Sequence, residues 1–233
     1  MPSLANAILS SVGKKIINAV SGLGLCAFIV IHLLGNVALL IGNAQFFNRY
    51  CYFLENNLGV FVYLAEAGLA IFFLGHMITG TAVWWSKLKA RPEDYKNSAN
   101  AGDPSKKTIF SRTMIYSGAV LFVFLIIHLK TFKFGPGMEQ GYAVTIGGVQ
   151  MWDLYRLAVE AFSNIWYVVF YVAAMMLLGF HLSHGFWSAF QSLGANHPKY
   201  TPIIYCLGIL FAVVMALGYL AIPIVVYLRG GVA

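Results

Sequence analysis

The sequence predicts an all-α membrane protein with five transmembrane helices, and two observations carry that expectation. Of 233 residues, 60% are apolar or aromatic and only 10% are charged, at a mean hydropathy of +0.75. A water-soluble globule carries about 25% charged residues, so this set cannot clothe a soluble surface. A soluble enzyme, a nucleic-acid reader and a disordered linker are excluded together. Second, five stretches reach the roughly 20 mostly apolar residues that cross a ~30 Å hydrocarbon core as helix. They lie at about 21–41, 60–85, 113–132, 163–190 and 202–227. The chain, 1–233, reads as one transmembrane domain.

Lys14 and Lys15 precede the first stretch as in a signal peptide, but the stretch is too long for such an apolar core and no small-residue cleavage site follows. It reads as a retained span. With five spans the termini face opposite sides, and basic residues choose the sides. Lys14, Lys15, Lys87, Lys89, Arg91, Lys96, Lys106, Lys107, Arg112 and Lys199 lie in alternate extramembrane segments; the others hold Arg49, Lys130, Lys133, Arg156 and Arg229. The positive-inside rule then puts the N-terminus in the cytoplasm and the C-terminus outside. The net charge of +7 is read through that asymmetry, without a nucleic-acid partner.

Between spans two and three, Arg91 to Lys107 forms a charged loop broken by two prolines. Outside, 151–162 places Asp153, Arg156 and Glu160 among apolar residues, the pattern of a short helix lying in the membrane interface. The Gly-rich stretch 135–148 reads as turns. Cys26, Cys51 and Cys206 have no paired spacing, so neither disulfides nor covalently tethered haem are expected.

His32, His76, His128 and His181 stand one in each of the first four spans. Ionisable groups inside a bilayer are costly and mark function. His32 is 17 residues beyond Lys15 and His128 is 16 beyond Arg112, so at ~1.5 Å per residue the two share one depth. His76 lies 11 residues before Lys87; Trp84 lies eight beyond His76 and Trp187 six beyond His181. Tryptophan favours the interface, which makes His32 and His128 an outer pair and His76 and His181 an inner one. Each pair needs only diagonal helices in a four-helix bundle. Two imidazoles at one depth make a bis-histidine iron site, with the macrocycle between the helices. The first four spans are therefore expected to form a haem-binding bundle.

Local sequence supports the pairing. Phe28-Ile-Val-Ile-His32 matches Phe124-Leu-Ile-Ile-His128, and Gly75-His76 with Gly80 matches Gly179-Phe-His181 with Gly185. Glycines near a ligand leave room for a large ring, and they also serve close helix packing. Two imidazoles without a Cys or carboxylate would under-coordinate zinc. The plainer alternative is four histidines that hydrogen-bond neighbouring helices.

With Ser10-Ser11-Val-Gly13-Lys14-Lys15, His32-Leu-Leu-Gly-Asn36 and Phe180-His181-Leu-Ser-His184-Gly185-Phe-Trp187, the chain resembles, over nearly its whole length, the di-haem cytochrome b membrane anchor of succinate:quinone oxidoreductases and quinol:fumarate reductases. The relevant type has a single five-span subunit. The resemblance implies a bacterial cytoplasmic (inner) membrane, with a flavoprotein and an iron–sulfur subunit docked on the cytoplasmic face. Electrons from succinate would pass through two b haems to quinone, with menaquinone suggested. The ligands carry over to His32 and His128 for the distal haem and to His76 and His181 for the proximal one. This subunit would be the quinone-reactive half of an enzyme, unable to oxidise succinate alone. In some fumarate-reducing members a glutamate lies two residues before the fourth-span ligand; here that position is Gly179, which favours the succinate-oxidising direction. Rival readings are the reverse-running fumarate reductase anchor, a di-haem b subunit of a formate dehydrogenase or hydrogenase, and a proton-coupled transporter with histidine relays.

Three further expectations concern single residues. His184, three beyond His181, is a candidate contact for a haem propionate or a quinone, or the ligand in place of His181. Glu66, ten residues outward of His76, is a candidate proton carrier for quinone chemistry or a hydrated surface carboxylate. Trp84, Trp85 and Trp187 read as an interfacial belt.

Overall fold

A computed structural model describes residues 3–90 and 109–230, and helix accounts for 84% of it. The proline loop expected over 91–107 lies outside the described residues. After a short α1 (Leu4–Leu9), five helices are long and apolar enough to cross a membrane: α2 (Ser11–Ile41), α4 (Gly59–Ala90), α5 (Ile109–Phe132), α7 (Ile165–Ser192) and α8 (Thr201–Gly230). Between them come α3 (Ala44–Tyr52), a π-helical turn (Phe53–Asn57), a hairpin of β1 (Ala143–Ile146) and β2 (Val149–Trp152), and α6 (Leu154–Phe162). The chain is an all-α membrane protein with one small hairpin.

Several helices outrun the apolar stretches that betray them. Hydropathy locates the hydrocarbon-matched middle of a span, whereas capping sets its ends. Ser10 accepts from Gly13 N at 3.0 Å and starts α2 ten residues before the expected span. Gly42, at φ 81°, ends it in the left-handed conformation that glycine adopts without strain. Asn164 caps α7 by accepting from Trp166 N at 2.9 Å.

The helices form a ring, α2 packed on α4, α5 on α7 and α7 on α2, closed by a looser contact of α4 with α5, and α8 leans on α7 and α2. Thus α2 and α5 face each other across one diagonal, and α4 and α7 across the other. Lipid, unlike water, gives helices no hydrophobic reason to associate, so small residues that admit close approach govern the contacts. Any side chain at Gly179 of α7 would meet the Ala216 Cβ of α8 at 2.8 Å, and one at Gly218 of α8 would meet Leu33 of α2 at 2.6 Å. Lipid-facing Ile31, Leu34, Phe61 and Ile71 stay exposed, as suits an apolar solvent.

One end of the bundle carries a cap built from α3, the hairpin and α6. The hairpin turns on Gly147 and Gly148, at φ 63° and 80°, as a two-residue loop with both central residues left-handed requires. So the Gly-rich stretch does turn, but around two four-residue strands too short for their alternation to register. The interface helix expected over 151–162 begins only at Leu154, because Asp153 is its N-cap and accepts from Arg156 N at 3.1 Å; Met151 and Trp152 belong to β2. Arg156 and Glu160 pair at 2.7 Å one turn apart. The Tyr142 hydroxyl, and after it Arg156, hold the Glu160 carboxyl below the usual range.

The cap is pinned by Asn48, 1% exposed. Its amide donates to Asp153 Oδ1 at 2.8 Å and accepts from Tyr155 N at 2.9 Å, tying α3 to the start of α6. Replacing Asn48 by Ala strips both bonds and leaves a buried N–H unpaired, a cost of about 1–3 kcal/mol. Hydrogen exchange on the detergent-solubilised chain should show α3 and the first turn of α6 opening sooner, with the ring helices unchanged.

Candidate functional site

The ring's diagonals carry the histidines. His32 of α2 lies with its ring centre 5.8 Å from that of His128 of α5, and His76 of α4 lies 6.3 Å from His181 of α7. The first pair is nearer the capped end, nine residues before the end of α2 and four before the end of α5. Two imidazoles bound to one metal from opposite sides stand with ring centres about 6 Å apart, given metal–nitrogen bonds of about 2 Å as for zinc. Both pairs sit at that separation.

Hydrogen bonding decides which nitrogen is free. His76 Nδ1 lies 3.0 Å from the Asn18 carbonyl, which can only accept, so Nδ1 carries the proton. His181 Nδ1 lies 3.0 Å from Ser117 Oγ, whose own proton goes to the Met114 carbonyl at 3.1 Å. Ser117 therefore accepts, and His181 Nδ1 donates. In both, Nε2 keeps its lone pair and makes no hydrogen bond within the described residues. This is how metal-binding histidines are oriented: the far nitrogen donates to a carbonyl or hydroxyl and fixes the ring. His128 Nδ1 meets the Tyr171 hydroxyl at 3.2 Å. His32 differs: the Asn36 amide donates to the His32 carbonyl at 2.7 Å and stands only 3.5 Å from Nε2, a weak contact.

The matched Phe-x-x-x-His motifs become the same contact twice. Phe28 stacks on His32 with ring centres 5.3 Å apart and planes 19° apart, and Phe124 stacks on His128 at 5.6 Å and 26°. Tyr219 of α8 lies over His32 at 6.2 Å while donating to the Ile29 carbonyl.

The glycines of the repeated motif do other work. Gly179 seats α8, and Gly80 approaches Asn18 Oδ1. The glycines against imidazoles are Gly22, where a side chain would meet His76 Cε1 at 3.0 Å, and Gly118, where it would meet His181 Cε1 at 3.7 Å. Sequence reasoning missed both, with Asn18, Ser117 and Tyr171. A signal was present: each glycine precedes its helix's histidine by ten residues, Gly22 to His32 and Gly118 to His128.

His184 turns toward the groove between α7 and α8, a cavity of about 360 Å³ lined also by Phe180, Trp187, Tyr205 and Ala216. Its ring meets Trp187 edge-on at 5.5 Å, and its buried Nδ1 has no hydrogen-bond partner among the described residues. Trp187 is itself buried between His184 and Tyr205, so it belongs to the protein interior and not to an interfacial belt; Trp85 is exposed. Glu66 pairs with Lys133, five residues beyond His128 at the end of α5, and the two side chains are 42% and 40% exposed. Arg49 lies over Gly147 of the hairpin turn.

Among the described residues no three His, Cys, Asp or Glu side chains converge. Each tier offers two imidazoles with ring centres 5.8 or 6.3 Å apart, a donor set of two that fits a metal whose other ligands come from a flat macrocycle and not a tetrahedral ion. No family model, curated protein or solved structure matches the chain.

A Gly22→Leu substitution drives a branched side chain into the His76 ring, overpacking that costs about 1–3 kcal/mol. Nitrogen-15 spectra of the histidine-labelled full chain should show the His76 and His181 signals displaced most, with a smaller displacement at His32, which shares α2 with Gly22.

Proposed function

We propose that this chain is the membrane-anchor cytochrome b subunit of a succinate:quinone oxidoreductase, passing electrons from a docked iron–sulfur subunit through two b haems to a quinone. The observation that carries the reading is the pair of diagonal histidine couples, 5.8 and 6.3 Å between ring centres, with Nε2 unengaged at His76, His128 and His181. His32 and His128 would hold the distal haem and His76 and His181 the proximal one. Bound haem iron supplies one-electron transfer at each tier.

The chain's own residues orient and shield. The Asn18 carbonyl and Ser117 hold the proximal imidazoles by Nδ1, and Phe28 and Phe124 flank the distal ones. Reduction of a quinone takes up two protons with two electrons. Glu66, half-exposed beyond the distal tier, can exchange protons with water and supply them at that end. His184, beside the proximal tier with a free Nδ1, is the candidate contact for a propionate or a quinone headgroup.

On this reading the capped end faces outward, the N-terminus lies in the cytoplasm of a bacterium, and the flavoprotein and iron–sulfur subunits dock at the other end; the quinone is menaquinone. The alternative of a fumarate reductase anchor running in reverse would lack the glutamate that some such anchors carry at the position held here by Gly179.

A reduced-minus-oxidised spectrum of the purified chain should show two b haems per chain. His32→Ala or His128→Ala should remove one and leave the other's spectrum intact; a colourless, well-folded chain would favour the transporter reading, and co-purification without a covalent flavoprotein would favour a formate dehydrogenase or hydrogenase subunit. Glu66→Gln should slow quinone turnover by about tenfold or more at normal haem content. Unchanged turnover would remove Glu66 from the mechanism.

A further inference from the structure

In the distal tier the His128–Tyr171 contact continues into a longer hydrogen-bonded chain through Tyr167 and Thr131. Thr131 Oγ1 lies 2.9 Å from the Ile127 carbonyl and 2.6 Å from the Tyr167 hydroxyl; Tyr167 lies 3.3 Å from the Tyr171 hydroxyl, and Tyr171 lies 3.2 Å from His128 Nδ1. The four contacts join α5 to α7 and back, beginning and ending on adjacent residues of α5.

Proton counting gives this chain a direction. Each hydroxyl owns one proton, and a carbonyl owns none. The Ile127 carbonyl can only accept, so Thr131 spends its proton there. Tyr167 must then donate to Thr131, Tyr171 to Tyr167, and His128 Nδ1 to Tyr171. Four donors meet four acceptors and every contact is satisfied. The reverse direction sends the Thr131 proton to Tyr167 and leaves two oxygens 2.9 Å apart with no hydrogen between them. In a site walled by Phe124, Phe132 and Phe162, such an unpaired contact is costly.

We propose that Tyr171, backed by Tyr167 and Thr131, is the positioning residue of the distal tier, fixing His128 with its proton on Nδ1 and its lone pair on Nε2. Asn18 and Ser117 do the same for the proximal tier, but through a carbonyl and a single hydroxyl. The distal device is longer, and it ends on the carbonyl next to the histidine it orients. Its consequence for electron transfer rests on the haem reading; the tautomer does not. An acceptor on Nδ1–H makes an imidazole more electron-donating and favours the oxidised metal. Losing Tyr171's hydroxyl should therefore raise the distal potential.

Tyr171→Phe is the decisive variant, because it keeps a ring packed at 5.0 Å against both Phe124 and Phe162 and deletes only the hydroxyl. Redox titration of the purified full chain should show both haems present, the distal midpoint raised and the proximal one unmoved. Tyr167→Phe should shift the distal midpoint less, and Ser117→Ala should raise only the proximal midpoint. An unmoved distal midpoint in Tyr171→Phe, or equal shifts at both tiers, overturns the proposal. If the wild type holds no porphyrin, the cytochrome reading fails, and the proposal is then judged by nitrogen-15 spectra of the same histidine-labelled preparation. His128 protonated on Nδ1, becoming a mixture of tautomers in Tyr171→Phe, supports it. Protonation on Nε2, or a tautomer indifferent to the substitution, overturns it.

Discussion

A neutral imidazole at membrane depth brings one N–H that must donate and one lone pair that must accept, and hydrocarbon supplies a partner for neither. The arrangement of the bundle follows from how this chain meets that demand. At His76, His181 and His128 the donor is satisfied by a carbonyl or hydroxyl from an adjacent helix of the ring, and the acceptor is left unpaired. A histidine retained only to bridge helices gains most by engaging both nitrogens. Three of the four imidazoles engage one nitrogen and leave the other without a hydrogen bond among the described residues, and the proposed ligand role rests on that pattern.

The same bonds stitch the ring along its sides. His76 joins α4 to α2 through the Asn18 carbonyl, while His181 with Ser117 and His128 with Tyr171 join α7 and α5 in both directions. The diagonals carry the imidazole pairs, and α8, seated by Gly179 and Gly218, lies against two of the four ring helices and places Tyr219 over His32. Fixing the sides by polar contacts sets the rotation of each helix, and that rotation aims the histidines across the ring.

Much of this was legible in the sequence because it is one-dimensional. Apolar length gives the spans, and counting from flanking charges gives the depth of a residue on a rigid helix, so His32 could be matched with His128 before any packing was known. Rotation about the helix axis is different, since it depends on neighbours distant in sequence. Asn18 is 58 residues from His76, and Ser117 is 64 from His181. Asn18 moreover acts through its backbone, which no side-chain pattern reports. His184 shows the limit at short range: one turn from His181, it faces the α7–α8 groove instead of the ring. The cap was missed where its parts were short: α3 is nine residues, and each strand is four.

The two tiers are not separable modules. On α2, Gly22 lies against the proximal imidazole of His76 while His32 serves the distal tier; on α5, Gly118 lies against His181 while His128 serves the distal tier. Ten residues advance a helix ~15 Å and bring it back to within about 80° of the same face. The glycine therefore turns toward the adjacent helix at one tier while the histidine aims across the ring at the other. Rotating α2 to relieve Gly22 would swing His32 away from His128, and sliding it would shift both tiers together. The spacing between the sites is thus set by two parallel helices acting as rigid rulers. On the proposed reading, an electron path between the tiers would have a length fixed by the backbone and independent of the direction of flow.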